Sequence, residues 1–224
     1  MKQLSRKNNF IYLFIALILF LLTSAIVAEY SSRFGKGSLI LITMLMLAAS
    51  IRSLKTDLSW KRTVYILLPT FLILSVIEYI FRDKFSLFLM FGTMLIFFIG
   101  SFHAAFRQVL FEGDIDQNKI IGSLTLYILL GLIWAVIYLL IIVIDPTAFS
   151  GLEVTNWQEG FSRIAYYSFV TLTTLGYGDI LPKNHVAEFF VYMEAIIGVF
   201  YMAIIVSSLI SLRLAALQEN KKGK

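Results

Sequence analysis

Residues Thr171–Asp179 read Thr-Leu-Thr-Thr-Leu-Gly-Tyr-Gly-Asp. Two glycines flank Tyr177, directly behind a pair of threonines. Gly176 and Gly178 can take left-handed dihedrals at no steric cost, so this stretch can turn successive carbonyl oxygens to one side. Oxygens arranged that way can replace the water that a cation sheds in a narrow passage. Other chemistry is thinly supplied. The chain has no cysteine, which excludes disulfides and thiolate metal sites. His103 and His185 lie far apart in sequence, so a histidine metal cluster within one chain is not expected. No nucleophile–base pair stands out, and an enzyme is the least favoured class. The net charge of +5 comes from basic residues in short clusters between apolar runs. That is the pattern of membrane topology, not of a nucleic-acid face, so no nucleic-acid partner and no small-molecule substrate are expected.

The elements that must position this stretch are apolar. Of 224 residues 59% are hydrophobic, against about 45–50% in soluble domains, and the mean hydropathy is +0.84. The excess falls in six runs: Phe10–Ala28, Ser38–Ile51, Thr63–Phe81, Phe85–Phe106, Ile120–Ile144 and Val186–Leu212. Crossing a bilayer takes about 20 residues of helix. The second run reaches that length only with Gly37 and a snorkelling Arg52 included. Basic clusters lie before the first run (Lys2, Arg6, Lys7), between the second and third (Arg52, Lys55, Lys61, Arg62), and after the last (Arg213, Lys221, Lys222, Lys224). Six crossings put all three clusters on one side, as the positive-inside rule asks. The expectation is six spans with both termini cytoplasmic. The first run is longer than the h-region of a signal peptide, which favours an uncleaved first helix over a cleaved leader.

The connection Asp145–His185 differs from the other loops. Within it, Phe161–Thr173 is too short to cross a membrane but long enough to enter as a half-helix and return as an extended strand ending at Pro182. Irregular backbone at that depth survives only where protein or a water-filled cavity covers it. The expected fold class is therefore an all-α membrane protein, with six transmembrane helices plus a re-entrant pore half-helix and filter strand. The expected parts are a four-helix membrane domain (1–106), an interfacial linker (107–119), a pore domain (120–217) and a short cytoplasmic tail (218–224). Phe102, Phe106, Val109 and Leu110 keep helical spacing into the linker, which continues the fourth helix along the inner membrane surface.

The Thr171–Asp179 run resembles the selectivity filter of the potassium channel family, whose usual form is Thr-Val-Gly-Tyr-Gly followed by Asp. The family's filter mechanism is established knowledge and enters here as what the resemblance implies. It implies a homotetrameric pore among membrane lipids in the plasma (cell inner) membrane, with K+ ions in the filter and no organic cofactor. It assigns carbonyl ligands to Thr174, Leu175, Gly176 and Tyr177, with the Thr174 hydroxyl closing the inner site. Gly178 and Asp179 follow as filter support. Tyr166 and Tyr167 stand where the family carries tryptophans, in an aromatic cuff around Tyr177. Leu175 departs from the usual valine and loses β-branching, which softens the strand. Val170 stands where some bacterial members carry a glutamate paired to the aspartate, so Asp179 needs another partner.

Gly198 lies twenty residues after Gly178, where the resemblance places a hinge; it is equally a small residue for close helix packing. Met202, Val206 and Ile210 follow at helical spacing as apolar cavity and gate linings. Glu194 is an acid inside the last run, either supporting the filter from behind through Ser168 or Thr171, or hydrated near the outer interface. Glu78 is expected to pair with Arg82, four residues on, and His103 to be an interfacial or packed histidine. Four helices before a pore resemble a voltage sensor, yet between Lys84 and Arg107 the only basic candidate is His103. Each gating charge contributes about 2.3 kcal/mol per 100 mV, and steep gating needs several, so little or no voltage dependence is expected. The competing readings are a weakly selective cation channel of the same fold, a transporter subunit, and a non-conducting scaffold or receptor.

Overall fold

The computed structural model describes residues 9–30, 43, 45, 58–111, 117–152 and 157–207. The run expected over Ser38–Ile51 lies outside the described residues, save Thr43 and Leu45. So do the N-terminal basic cluster, Arg52, Lys55, the linker acids Glu112, Asp114 and Asp116, and the tail. The described elements are α1 (Asn9–Glu29), α2 (Leu58–Phe81), α3 (Lys84–Phe111), α4 (Gln117–Ile144), β1 (Phe149–Ser150), α5 (Trp157–Leu172), β2 (Leu181–Pro182) and α6 (His185–Tyr201). A π-helical stretch, Met202–Val206, continues α6. Five of these helices are long and apolar enough to cross a bilayer: Phe10–Glu29, Trp60–Phe81, Lys84–Phe111, Asn118–Ile144 and His185–Ile204. An all-helical membrane protein is the class they define. At 16 residues, α5 reaches only about 24 Å.

Helix boundaries follow local chemistry. On α1, Leu13, Leu17, Phe20, Ser24 and Val27 are buried at steps of three and four, while Tyr12, Ile15, Leu19 and Leu22 are exposed and apolar. A helix apolar on every face has a protein side and a lipid side. The α2 helix ends at Phe81, and Arg82 turns the chain out with φ 51°. Asp83 then caps α3, its Oδ2 accepting from the Ser86 amide at 2.9 Å. These Ser86 hydrogen bonds hold the Asp83 carboxyl below its usual range. The α3 helix runs past Phe106 and Arg107 to Phe111.

The central element is α4, which packs against α1, α3 and α5, while α1 also lies against α5. The packing is aromatic. Phe20 meets Phe161 edge to face at 5.1 Å, and Phe91 meets Trp157 at 6.3 Å. The front helices therefore bear directly on the half-helix α5. The strands β1 and β2 pair antiparallel, Phe149 opposite Pro182 and Ser150 opposite Leu181. This ribbon ties the start of the connection between α4 and α6 to its end.

Candidate functional site

The site begins where α5 stops. The Leu175 amide donates to the Val170 carbonyl at 2.9 Å, and the Thr174 amide to the Thr171 carbonyl at 2.9 Å. Six-to-one and five-to-two bonds together form a Schellman motif, whose C′ residue must be left-handed and is usually glycine. Here it is Thr174, with φ 60°. A β-branched residue in that region is rare and costs of order 1–3 kcal/mol. Such strain concentrates at sites that need a particular side chain. Thr173 closes the same turn, its Oγ1 donating to the Phe169 carbonyl at 2.6 Å.

Beyond the cap the backbone alternates. Thr174, Gly176 and Gly178 have φ of 60°, 56° and 79°, and the intervening Leu175 and Tyr177 do not have positive φ. A Cβ built on Gly176 or Gly178 meets nothing within 4 Å. Conformation, not space, makes glycine necessary at both positions within one chain. Leu175 and Tyr177 are 59% and 66% exposed, so this segment lies on an open face of the chain. A cleft of about 270 Å³ behind it is lined by Val170, Thr171, Thr174, Ile180, Val191 and Ala195 among others.

The two expected cuff tyrosines part company. Tyr166 is half-exposed, and its hydroxyl lies near the Asp179 carboxylate. Tyr167 is buried, its ring 5.5 Å from Tyr138 and 5.6 Å from Phe149. The Tyr177 ring joins no aromatic cluster among the described residues.

A buried polar knot stands behind α5. Glu194 is 0% exposed, which removes the hydrated-interface reading. Its Oε1 lies 2.5 Å from Ser168 Oγ and its Oε2 2.5 Å from Tyr138 Oη. Ser168 Oγ also lies 2.7 Å from the Gly131 carbonyl. Ser168 was legible as a partner, being on the half-helix; Tyr138 was not, because its pairing joins residues 56 apart in sequence. Thr171, the other expected partner, lies instead beside the Tyr167 hydroxyl. Lower down, Tyr127 Oη donates to the Leu172 carbonyl at 3.2 Å, and Tyr201 Oη to the Ser123 carbonyl at 2.5 Å.

Two glycines set the spacing of this layer. A Cβ on Gly131 would come within 2.5 Å of the Phe169 ring, and one on Gly198 within 2.3 Å of the Leu172 carbonyl oxygen. Close packing is therefore the role that Gly198 visibly fills. The helix stays α-helical through it, and the irregular stretch begins one turn later, at Met202. Met202 is exposed; the Val206 side chain and Ile210 lie outside the described residues.

At the start of α6, Asn184 caps the helix, its Oδ1 accepting from the Ala187 amide at 2.8 Å. Its Nδ2 donates to Asp145 Oδ2 at 2.8 Å, while Asp145 Oδ1 accepts from the Thr147 hydroxyl and amide. These bonds, those from Thr147 first, hold the Asp145 carboxyl below its usual range. Gly151 crosses so close to the Asp179 carbonyl that a Cβ would lie 1.9 Å from it.

One expectation outside this layer changes. Glu78 does not pair with Arg82 among the described residues; its Oε2 accepts from Trp157 Nε1 at 3.0 Å. Arg82, left-handed past the end of α2, no longer follows the helical spacing that would bring the two side chains together. His103 is exposed on α3.

Residues 124–213 match the family model described as "Ion channel". The match runs from the body of α4 through α5, the Thr171–Asp179 segment and α6, and it supports an ion channel and points to a transport role. No curated protein and no solved structure matches the chain.

Proposed function

We propose that the chain is one subunit of a homotetrameric, potassium-selective channel that conducts K+ passively, with six spans and both termini cytoplasmic. The observation that carries this reading is the alternation of backbone sign from Thr174 to Gly178, directly beyond a half-helix set between two spanning helices. Alternating right- and left-handed residues turn consecutive carbonyls the same way. Four such segments around an axis would enclose K+ in rings of oxygens from Thr174, Leu175, Gly176 and Tyr177. The strained Thr174 would add its hydroxyl at the inner end. The negative end of α5 favours a cation nearby. No arginine array lies on α3, so the membrane potential has little to pull on.

The test is flux of K+ against Na+ through the purified protein in liposomes, with planar-bilayer recording of conductance against voltage. Selective K+ flux is expected, lost in Gly178→Asp and Tyr177→Ala, with conductance nearly independent of voltage. Selective flux that survives both substitutions overturns the filter assignment, and a steep sigmoid overturns the voltage reading. Reversal potentials in mixed K+ and Na+ distinguish a weakly selective cation channel; Tyr177 weighs against that alternative.

A further inference from the structure

Three short oxygen–oxygen contacts meet around Glu194. Ser168 Oγ lies 2.7 Å from the Gly131 carbonyl oxygen and 2.5 Å from Glu194 Oε1. Tyr138 Oη lies 2.5 Å from Glu194 Oε2. Contacts this short are hydrogen bonds, each with one hydrogen between its oxygens. The Gly131 carbonyl has no hydrogen to give, and the serine and tyrosine hydroxyls have one each. If Glu194 were a carboxylate, three contacts would share two protons. One pair at Ser168 would then be two bare acceptor oxygens pressed together.

We infer that Glu194 is a neutral carboxylic acid in the folded protein, donating from Oε1 to Ser168, which donates on to the Gly131 carbonyl, while Oε2 accepts from Tyr138. Every contact then holds one proton, and every proton has one acceptor. The surroundings agree. Glu194 is fully buried in a span. The groups bonded to it are Ser168 from α5 and Tyr138 from α4. It forms no ion pair among the described residues. An unpaired carboxylate there would be costly; a neutral acid bonded through both oxygens would not. Glu194 is thus a positioning residue, joining α4, α5 and α6 by a directional chain of bonds. Its effect on conduction rests on the channel reading; its proton does not.

The test reads the proton without any ion flow. The full-length protein in lipid vesicles at neutral pH is compared with Glu194→Gln by infrared difference spectroscopy. The expected result is a protonated-acid carbonyl band in the wild type that is lost in the variant. Ser168→Ala, which removes the oxygen that the acid donates to, should move that band to higher frequency. This arm decides the matter should Glu194→Gln fail to fold. Glutamine can donate to Ser168 and accept from Tyr138, so Glu194→Gln should also melt close to the wild type. A carboxylate band lost in Glu194→Gln, or no acid band that responds to either substitution, overturns the inference.

Discussion

The two halves of the chain hold their helices together by different means. In the front half three buried hydroxyls bond within their own helix, Ser24 to the Leu21 carbonyl, Ser75 to Phe71 and Thr93 to Leu89, and Ser75 also lies 3.7 Å from Met90 Sδ on α3. In the second half Ser123 and Thr125 do the same, but the decisive bonds run between elements. Ser168 and Tyr138 meet Glu194, Tyr127 reaches Leu172, and Tyr201 reaches Ser123. The physical lesson concerns the solvent. Lipid tails are as apolar as the side chains they replace, so apolar contact alone selects weakly among helix arrangements. Directional bonds and close glycine contacts select strongly. The half that carries the Thr171–Asp179 segment uses more of these bonds among the described residues, while the front half relies on fewer, such as Ser75 on Met90 and the close approach of Trp60 to Gly100.

The sharpest way to break that comparison is Glu194→Ala. It takes from Ser168 and Tyr138 the carboxyl they share and opens a cavity, and should destabilise by roughly 3 kcal/mol, a large share of a typical stability of about 5–15 kcal/mol. A front-half swap of similar volume, such as Met90→Leu, should cost less than about 1.5 kcal/mol. Thermal melting of the purified protein in one detergent compares them directly. Equal losses would erase the distinction between the halves.

A smaller effect is expected at the seam. Trp157 bonds Glu78 at 3.0 Å and packs on Phe91, so it is where the front helices hold the start of α5. Trp157→Phe and Glu78→Gln, alone and together, form a double-mutant cycle. The expected coupling is about 1 kcal/mol; a coupling near zero would mean that the halves merely touch.

The smallest effect concerns the outer tie. Asp145 is held below its usual range by Thr147 and Asn184. A depressed carboxyl contributes stability above its unfolded pKa and loses it as pH falls through the folded value. Acidification below the ordinary carboxylate range should therefore loosen the Asp145–Asn184 link, and Asp145→Asn should remove that part of the pH dependence. Hydrogen exchange at the start of α6 against pH measures it. A variant with an unchanged acid limb would assign the effect elsewhere.

Much of the site was legible because it depends on local sequence. Gly176 and Gly178 announce left-handed backbone, and both have it. The short helix announces itself by length, although it begins at Trp157 and not Phe161, since helix starts depend on tertiary caps as much as on pattern. The strain at Thr174 was not legible. Threonine is a poor left-handed residue, and only the two bonds closing the turn show why it takes that conformation. The partner of Glu78 was misread for a related reason: helical spacing brings Arg82 within reach only if the helix continues, and it ends first.

Sequence alone determined the membrane class, through runs of apolar residues that water would not tolerate. It also determined which residues could turn carbonyls one way, because only glycine takes those dihedrals without strain. Tertiary structure decided what Glu194 touches, why Gly198 must lack a side chain, and which of the two tyrosines is buried. Those facts depend on distances between residues far apart in the chain, and no local propensity encodes them.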